Sequence, residues 1–593
     1  MAVISRAIPT LLRGISQSSD ALKQPDHADI QDNADSNPVL GLTKRSGLQY
    51  VTSLSSSTLG NVHIQTINRD ASERYVAIFS NGNVKVYDID GTEKTVNKPD
   101  GTSYLNTSNP RSVMKTVTIA DYTFVVNTSI SAAMDSTLSG GTGTKAIIFI
   151  NQATSKTTYS VTIDGVTVTD NTDGDSTLST DTVAADLKTG LDAGLTGFTI
   201  ARNGPVLYVK KNDNSDFSID GSDTQGDTKM TIVKNSVQRF TDLPTVAPNG
   251  YVVEIKGDEN TDFDNYYVKF VTNNGGAFEE GQWEETLEAG IPFKFDYATM
   301  PHVLVRQADG NFRFARVDGD SYNVTVNSTT TSYELPKWGE RVVGDVVSAP
   351  DPSFIGSKIN NVFFFRNRLG FLAGDNVILS RVSEFFNFFP ETVVSVLDNE
   401  PIDVAASHTK VAILKNAVTM GEKLILFSEQ TQFVLASSAD NLTPKTANVI
   451  VATEFESSAA AQPVGSGSSI YFLTEKGSFA GIREYIIQGE SQVRDAANVT
   501  IHVPRLIPSN VFKMAVSTNQ DILIVLGSDN PNKLYVYRWL YGSDGNKALS
   551  SWFTYTINSN RSILNVDFIG TDLFAVIEEA NKVTLEKIPF ESE

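Results

Sequence analysis

The sequence has no cysteine in 593 residues. This excludes disulfides, thiolate nucleophiles and cysteine-ligated zinc or iron–sulfur centres. It leaves the compartment open, because many proteins inside and outside the cytoplasm share it. Histidine is also scarce. His27, His63, His302, His408 and His502 are the only five, and none forms an HxxxH or HExxH pair, so no zinc site is nominated. Basic residues are in deficit: 48 Lys and Arg stand against 69 Asp and Glu, a net charge of −21 with a pI of about 4.8. Such a surface opposes any lasting hold on DNA phosphates, although it would let a polyanion slide past; solubility is the plainer explanation. No apolar run approaches the roughly 20 residues that a membrane helix needs. The AIPTLL stretch near the N-terminus is short and broken by Pro9, which does not suit a secretory signal. The sequence therefore reads as a soluble product made in the cytoplasm, its first ~15 residues an arm or first strand.

Catalytic signatures are missing too. There is no GxSxG elbow, Walker A loop or GxGxxG after a strand, and the glycines of VGSGSS (Val464 to Ser469) lack the required order. Acidic pairs abound in any acidic β protein, so no glycosidase dyad is nominated. Three aspartate-rich stretches gather hard oxygen ligands: Asp170 to Asp175, Asn212 to Asp223 and Gly257 to Asn265. None has the EF-hand spacing with its terminal bidentate Glu, and solvated turns explain them as well. No catalytic residue, cofactor site or metal ligand follows from the sequence.

What is present is strand alternation. Tyr75 to Val96 holds two apolar runs joined at Asn81-Gly82, a hairpin signal because both residues tolerate positive φ. Lys423 to Ser437, Ser469 to Ile482, Asp521 to Leu540 and Asp572 to Ile588 repeat the pattern of strand, polar turn, strand. Their spacing, very roughly 45 residues, suits blades of a β-propeller; a sandwich or stacked barrels is the alternative. Between Lys145 and Val233 the pattern changes. Val183, Leu187, Leu191 and Leu195 fall on one helical face between strand-like runs, with Asp181 as the expected N-cap and Gly197 where the helix would end. The expected fold is mainly β, a β-propeller-like body with inserted small α+β and β domains. Residues 1–138 would form the arm and first part of the body, 139–241 an inserted β-α-β-β domain, 242–347 a second, mostly β insert, and 348–593 the rest of the body.

The densest segment runs from Phe354 to Phe389, FIGSKINNVFFFRNRLGFLAGDNVILSRVSEFFNFF. Three consecutive aromatics, Phe363, Phe364 and Phe365, put apolar groups on both faces of a strand, which implies two covered faces. Arg366, Arg368 and Arg381 flank such strands. Their planar forks could pair with carboxylates of a neighbouring subunit, or tie turns of one blade to the next within the chain. These six residues are the candidates for assembly or for clamping blades. Phe385, Phe386, Phe388 and Phe389 would fill the core or a seam between subunits, the core being commoner.

This segment closely resembles the nozzle proteins of short-tailed phages of the T7 type, the tail tubular protein B family. The resemblance continues in collinear order through ISRAIPTLLRGISQ (Ile4 to Gln17), Pro25, Asn33, GLTKR (Gly41 to Arg45), INRD (Ile67 to Asp70), NPR (Asn109 to Arg111), ADYTFVVN (Ala120 to Asn127), APNGY (Ala247 to Tyr251), MPHVLVRQADGNF (Met300 to Phe312) and PIDVA (Pro401 to Ala405). Ser46 departs from it, standing where the family usually has proline. Ser129 to Thr241 and Gly542 onward match weakly, and the family typically continues past Glu593, which suggests a truncated or separate C-terminal part.

The resemblance implies a virion part rather than an enzyme, and no cofactor. It implies a homohexameric ring at the distal end of the tail, assembled in the host cytoplasm, docked under a tail adaptor ring and helping to hold tail fibres. Such a ring would retain DNA, then pass it through the host cell envelope without sequence-specific binding. If the acidic excess faced the lumen, six copies at −21 each would bring −126 formal charges toward the passing phosphates. A β-propeller adhesin for host-surface glycan and a tail-associated hydrolase are the competing readings.

Overall fold

The computed structural model describes residues 10–140, 144–257, 265–438, 441–488, 493–543 and 547–590. Within them the fold is mainly β, as the alternation predicts. Seven sheets, antiparallel except where Val96–Asn97 pairs in parallel with Phe312–Ala315 in the second, follow one another along the chain, and their first strands are His63–Asn68, Met114–Ile119, Ile359–Phe365, Asn416–Met420, Val464–Ser466, Val511–Ser517 and Arg561–Ile569. We number these sheets one to seven. Each first strand touches the next, and the seventh touches the first, so the sheets form a closed cycle like propeller blades.

Seven apolar clusters hold the cycle, one at each junction. Phe79 and Val86 of sheet one meet Leu304 and Phe314 of sheet two; Phe124 and Val303 meet Val362 and Phe371 of sheet three. Phe363 and Leu372 pack on Leu424 and Phe433 of sheet four, and Phe427 packs on Phe472 of sheet five. Tyr471 and Leu473 face Leu523 and Tyr537 of sheet six, whose other side buries Ile524 and Phe553 against Val566 and Leu573 of sheet seven. Val576 and Leu585 then return to Ile64 and Ile78 of sheet one. A strand buried on both faces reads as an apolar run, which explains ILIVLG at Ile522–Gly527.

The ends of the chain complete the outer layers. Gln49–Ser55 is the last strand of sheet seven, paired with Lys582–Pro589, so an early segment closes the cycle against the final hairpin. Further upstream, the chain lies along the outer edge of sheet six: Ile15 N–H donates to the Trp552 carbonyl (2.7 Å) and Asn33 N–H to that of Thr554 (2.8 Å). Gly14 has φ +71°, and a Cβ there would stand 2.4 Å from the Trp552 carbonyl oxygen, so a side chain would pry this arm off the edge.

Sheet two is interrupted by an excursion between Tyr122–Asn127 and His302–Arg306, two strands that pair with each other. Lys145–Ile150, Phe198–Asn203, Val206–Lys211 and Met230–Val233 form one sheet of the excursion; Thr158–Ile163, Val166–Asn171 and Ile219–Asp223 form another. The helix Thr180–Gly194 buries Val183, Leu187 and Leu191 in the core they share. This unit has seven strands and one helix, more than the β-α-β-β expected. Its N-cap is Ser179 rather than Asp181: the Ser179 hydroxyl accepts from Thr182 N–H (3.1 Å), and the Thr182 side chain accepts in turn from Ser179 N–H (2.9 Å), a reciprocal box that leaves Asp181, two residues on, inside the first turn. A five-stranded sheet follows, with Val252–Ile255, Tyr266–Thr272 and Phe278–Thr286 at its centre.

The expected insert over 242–347 needs correction, because His302–Arg306 and Phe312–Ala315 belong to sheet two of the body. Their partners lie about 180 residues upstream, and strand alternation carries no information about such distant pairing. Beyond them, Ser321–Val326 and Thr329–Glu334 form an exposed hairpin turned at Asn327 and Ser328, both at positive φ.

Candidate functional site

The Phe354 to Phe389 segment builds most of sheet three. Ile359–Phe365 and Arg368–Ala373 pair through a two-residue turn in which Arg366 (φ 46°) and Asn367 (φ 58°) both take left-handed backbone, as a tight hairpin requires. In the strand before the turn, Phe363 and Phe365 point into the junction with sheet four. Phe364 points the other way and meets Phe385 edge-on, ring centres 5.3 Å apart. Gly370 lies under the Phe363 ring: a Cβ there would come within 2.3 Å of it, so LGFL spells a glycine that makes room for an aromatic across the ladder. Phe388 and Phe389 are buried at the junction with sheet two, and Phe385 and Phe386 pack partly buried against them.

The three arginines separate. Arg368 is 1% exposed. Its Nη1 donates to the carbonyls of Ser380 and Glu400, both at 2.6 Å, and Nη2 to that of Asp398 at 3.2 Å. The guanidinium thus ties the end of sheet three to the loop before Ile402–Ala405, and burial draws its pKa down to about 10. Arg381 sits among Glu384 (3.1 Å), Glu391 and Glu400 (3.8 Å) of its own chain. Burial raises the pKa of Glu400, which is 4% exposed and accepts from Glu391 N–H at 2.9 Å. Arg366 is the outward one: it reaches the Glu422 carbonyl at 3.3 Å and its carboxylate at 3.7 Å, and that carboxylate is 93% exposed.

One residue of this kind escapes sequence reasoning. Arg341, also 1% exposed, donates from Nε to the Ala349 carbonyl (2.8 Å), pairs with Asp351 and stacks 4.9 Å from the Phe389 ring centre. Its local sequence, KWGER, carries no signal of burial. A cavity of about 700 Å³ opens beside the segment, lined by Ile378, Phe388, Pro390, Val396, Glu400 and Asp403. Around it Val346, Val347 and Val394 are exposed, Val347 to 83%.

No catalytic grouping emerges among the described residues. His27 and His502 come together, ring centres 5.9 Å apart, without a carboxylate to make a ligand set. Asp213 and Asp223 spend their oxygens on turn N–H groups of Ser215, Gln225, Asp227 and Lys229, the ordinary use of aspartate in turns. The Gly257 to Asn265 stretch lies largely outside the described residues. Three carboxylates that the sequence did not flag, Asp100, Asp318 and Asp320, do converge, but Arg316 already pairs with Asp100 at 2.9 Å.

The residues of this segment pack and pair within their own chain, and the sequence has relatives. The model of the bacteriophage nozzle protein family matches residues 1–593. The chain belongs to the phage nozzle family. Over 613 aligned positions it is 34% identical to tail tubular protein gp12 of Escherichia phage T7, taking in 100% of this chain and 73% of that protein. Solved structures are far more distant. Hsv2 of Kluyveromyces lactis is 11% identical with a TM-score of 0.25, covering 46% of this chain and 68% of that one. A putative 6-phosphogluconolactonase from Bacteroides uniformis is 14% identical with a TM-score of 0.24, covering 51% and 94%. Scores of this size carry no argument. The family membership does: this nozzle-family chain is a structural protein of the virion tail of a short-tailed phage.

Proposed function

We propose that the chain assembles into a homohexameric ring at the distal end of the tail, a conduit that retains packaged DNA and then passes it into the host. The observation that carries this reading is the family match along the entire chain. An adaptor ring above, tail fibres at the side and the host envelope below would be its neighbours, and DNA would pass without being read. The acidic excess suits a channel wall that does not trap phosphate.

The surface beside sheet three supports contact between copies. Val346, Val347 and Val394 stand exposed around a cavity whose carboxylates are Asp345, Asp351, Glu400 and Asp403, and such an apolar patch with a polar rim suits a protein interface. Arg368 and Arg381 find their partners within their own chain, so they act as intrachain clamps in this reading. Arg366, on an exposed turn and paired only loosely with the exposed Glu422, is the arginine best placed to meet a neighbour.

Solution mass tests the reading. The wild-type chain, alone or on its adaptor ring, should give a six-copy species. Val347→Asp and Arg366→Glu should each shift that species toward monomer while moving the melting temperature by no more than about 1 °C. A wild-type chain that stays monomeric even with the adaptor, and binds host glycan in that state, would instead favour the adhesin.

A further inference from the structure

We propose that the cavity on the axis of the seven-sheet cycle is a binding site for a small phosphate-type oxyanion. The cavity holds about 350 Å³ and is lined by the first strands of sheets one, two, five, six and seven. Its charged lining is opposite in sign to the chain. Arg111, Lys115 and Lys513 line it against one carboxylate, Asp567, within a protein of net charge −21.

Two of these cations find some compensation within the chain: Lys513 pairs with Asp567 at 3.1 Å, and Arg111 feels the Glu578 carboxylate and reaches the Gly60 carbonyl at 3.5 Å. Lys115 has no hydrogen-bond or ion-pair partner among the described residues. Its pKa is lowered, first by burial and then by Lys415 from the start of sheet four, so a second lysine repels it. Arg111 lies flat on Phe512, 4.0 Å from the ring centre, and its buried Nε has no acceptor. An unpartnered lysine crowded by further cations costs stability unless something compensates it, and a multivalent anion does so with charge-assisted hydrogen bonds. Neutral donors complete the lining. His63 Nε2 bonds Thr116 Oγ1 (2.8 Å), which donates to Gln65 Oε1 (2.8 Å), while burial and then the charges of Lys115 and Lys513 keep His63 an uncharged wall of the site.

Size selects the ligand. About 350 Å³ admits orthophosphate, pyrophosphate or the phosphate end of a small ester, whereas a DNA duplex is far too wide to enter. The inference stands apart from the conduit reading, since it concerns the axis of one chain.

Calorimetric titration of the full chain with sodium phosphate, pyrophosphate and ATP, each at ionic strength matched with sodium chloride, tests it. The expected result is saturable binding with one site per chain, weakened at least tenfold in Lys115→Gln and again in Arg111→Gln, with both variants folded in chloride. If Lys115→Gln fails to fold, Arg111→Gln alone decides. Tighter binding of ATP than of pyrophosphate would identify a nucleotide as the source of the phosphate, and equal binding a free oxyanion. No saturable binding, or binding that neither variant weakens, overturns the proposal.

Discussion

Replacing Arg368 by alanine is expected to lower stability by about 3–5 kcal/mol, because it strips the partner from three carbonyls and empties a buried volume. The carbonyls of Ser380, Asp398 and Glu400 receive their bonds from this one guanidinium. Ser380 directly follows the strand Asn376–Leu379, and Asp398 and Glu400 lie just before Ile402–Ala405, so their release also frees the loop that carries Glu400. Arg368→Met restores most of the volume but supplies no donor, and should recover less than half of the loss. Arg368→Lys keeps the charge yet cannot reach three acceptors with a planar fork, and should fall between. Arg366→Ala is the internal control: its contacts are exposed, and the expected change is within about 0.5 kcal/mol. Urea midpoints for the four variants at pH 7.5 give the comparison. An Arg368→Ala midpoint indistinguishable from that of Arg366→Ala would remove the clamp.

Acidification should destabilise the fold before most carboxylates titrate. His302 is 4% exposed, stacked on Tyr104 with ring centres 3.9 Å apart and flanked by Phe314. Burial draws its pKa from 6.5 to about 4; burial likewise takes His63 to about 3 and His502 to about 4. The folded values lie below the unfolded one, so between pH 6.5 and about 4 the unfolded chain binds protons that the folded chain refuses. Stability is therefore complete above pH 6.5 and is lost as pH falls through that window. For His302 the loss reaches about 2 kcal/mol by pH 5. His63 faces the axial cavity and His502 is partly exposed, so each contributes less than its pKa alone suggests. Melting temperatures measured from pH 8 to 4.5 should drop along this course. His302→Phe, which keeps the ring stack but cannot take a proton, should flatten the drop; parallel curves for wild type and variant would refute the assignment.

Local pattern made the strands and the helix legible. Ala77, Phe79, Val84 and Val86 are buried around the Asn81-Gly82 turn as their alternation implies, and Gly82 takes the positive φ there. Strand partners were not legible. Gln49–Ser55 joins the last hairpin, and His302–Arg306 returns to Tyr122–Asn127, because backbone ladders accept any strand of suitable register and the sequence does not encode which one arrives. Among the arginines, RNR gave the turn but not its direction: left-handed backbone at Arg366 and Asn367 carries the first side chain outward, while Arg368 begins a strand buried at every position. The axial cavity left a faint trace in the sequence. Lys115, Lys415 and Lys513 each stand at the start of a first strand, as MKTV, LKNA and FKMA, a lysine where the rest of the strand is largely apolar or small. Nothing short of the closed cycle shows that these three lysines approach one axis.

The central claim is that this chain forms the terminal conduit of the tail. Electron cryomicroscopy of intact virions measures that directly. The account predicts six copies around an axial lumen at the distal end of the tail, with the surface around Val347 covered by a neighbouring copy. Density for this chain off the axis, or a copy number that does not close a six-fold ring, would contradict it.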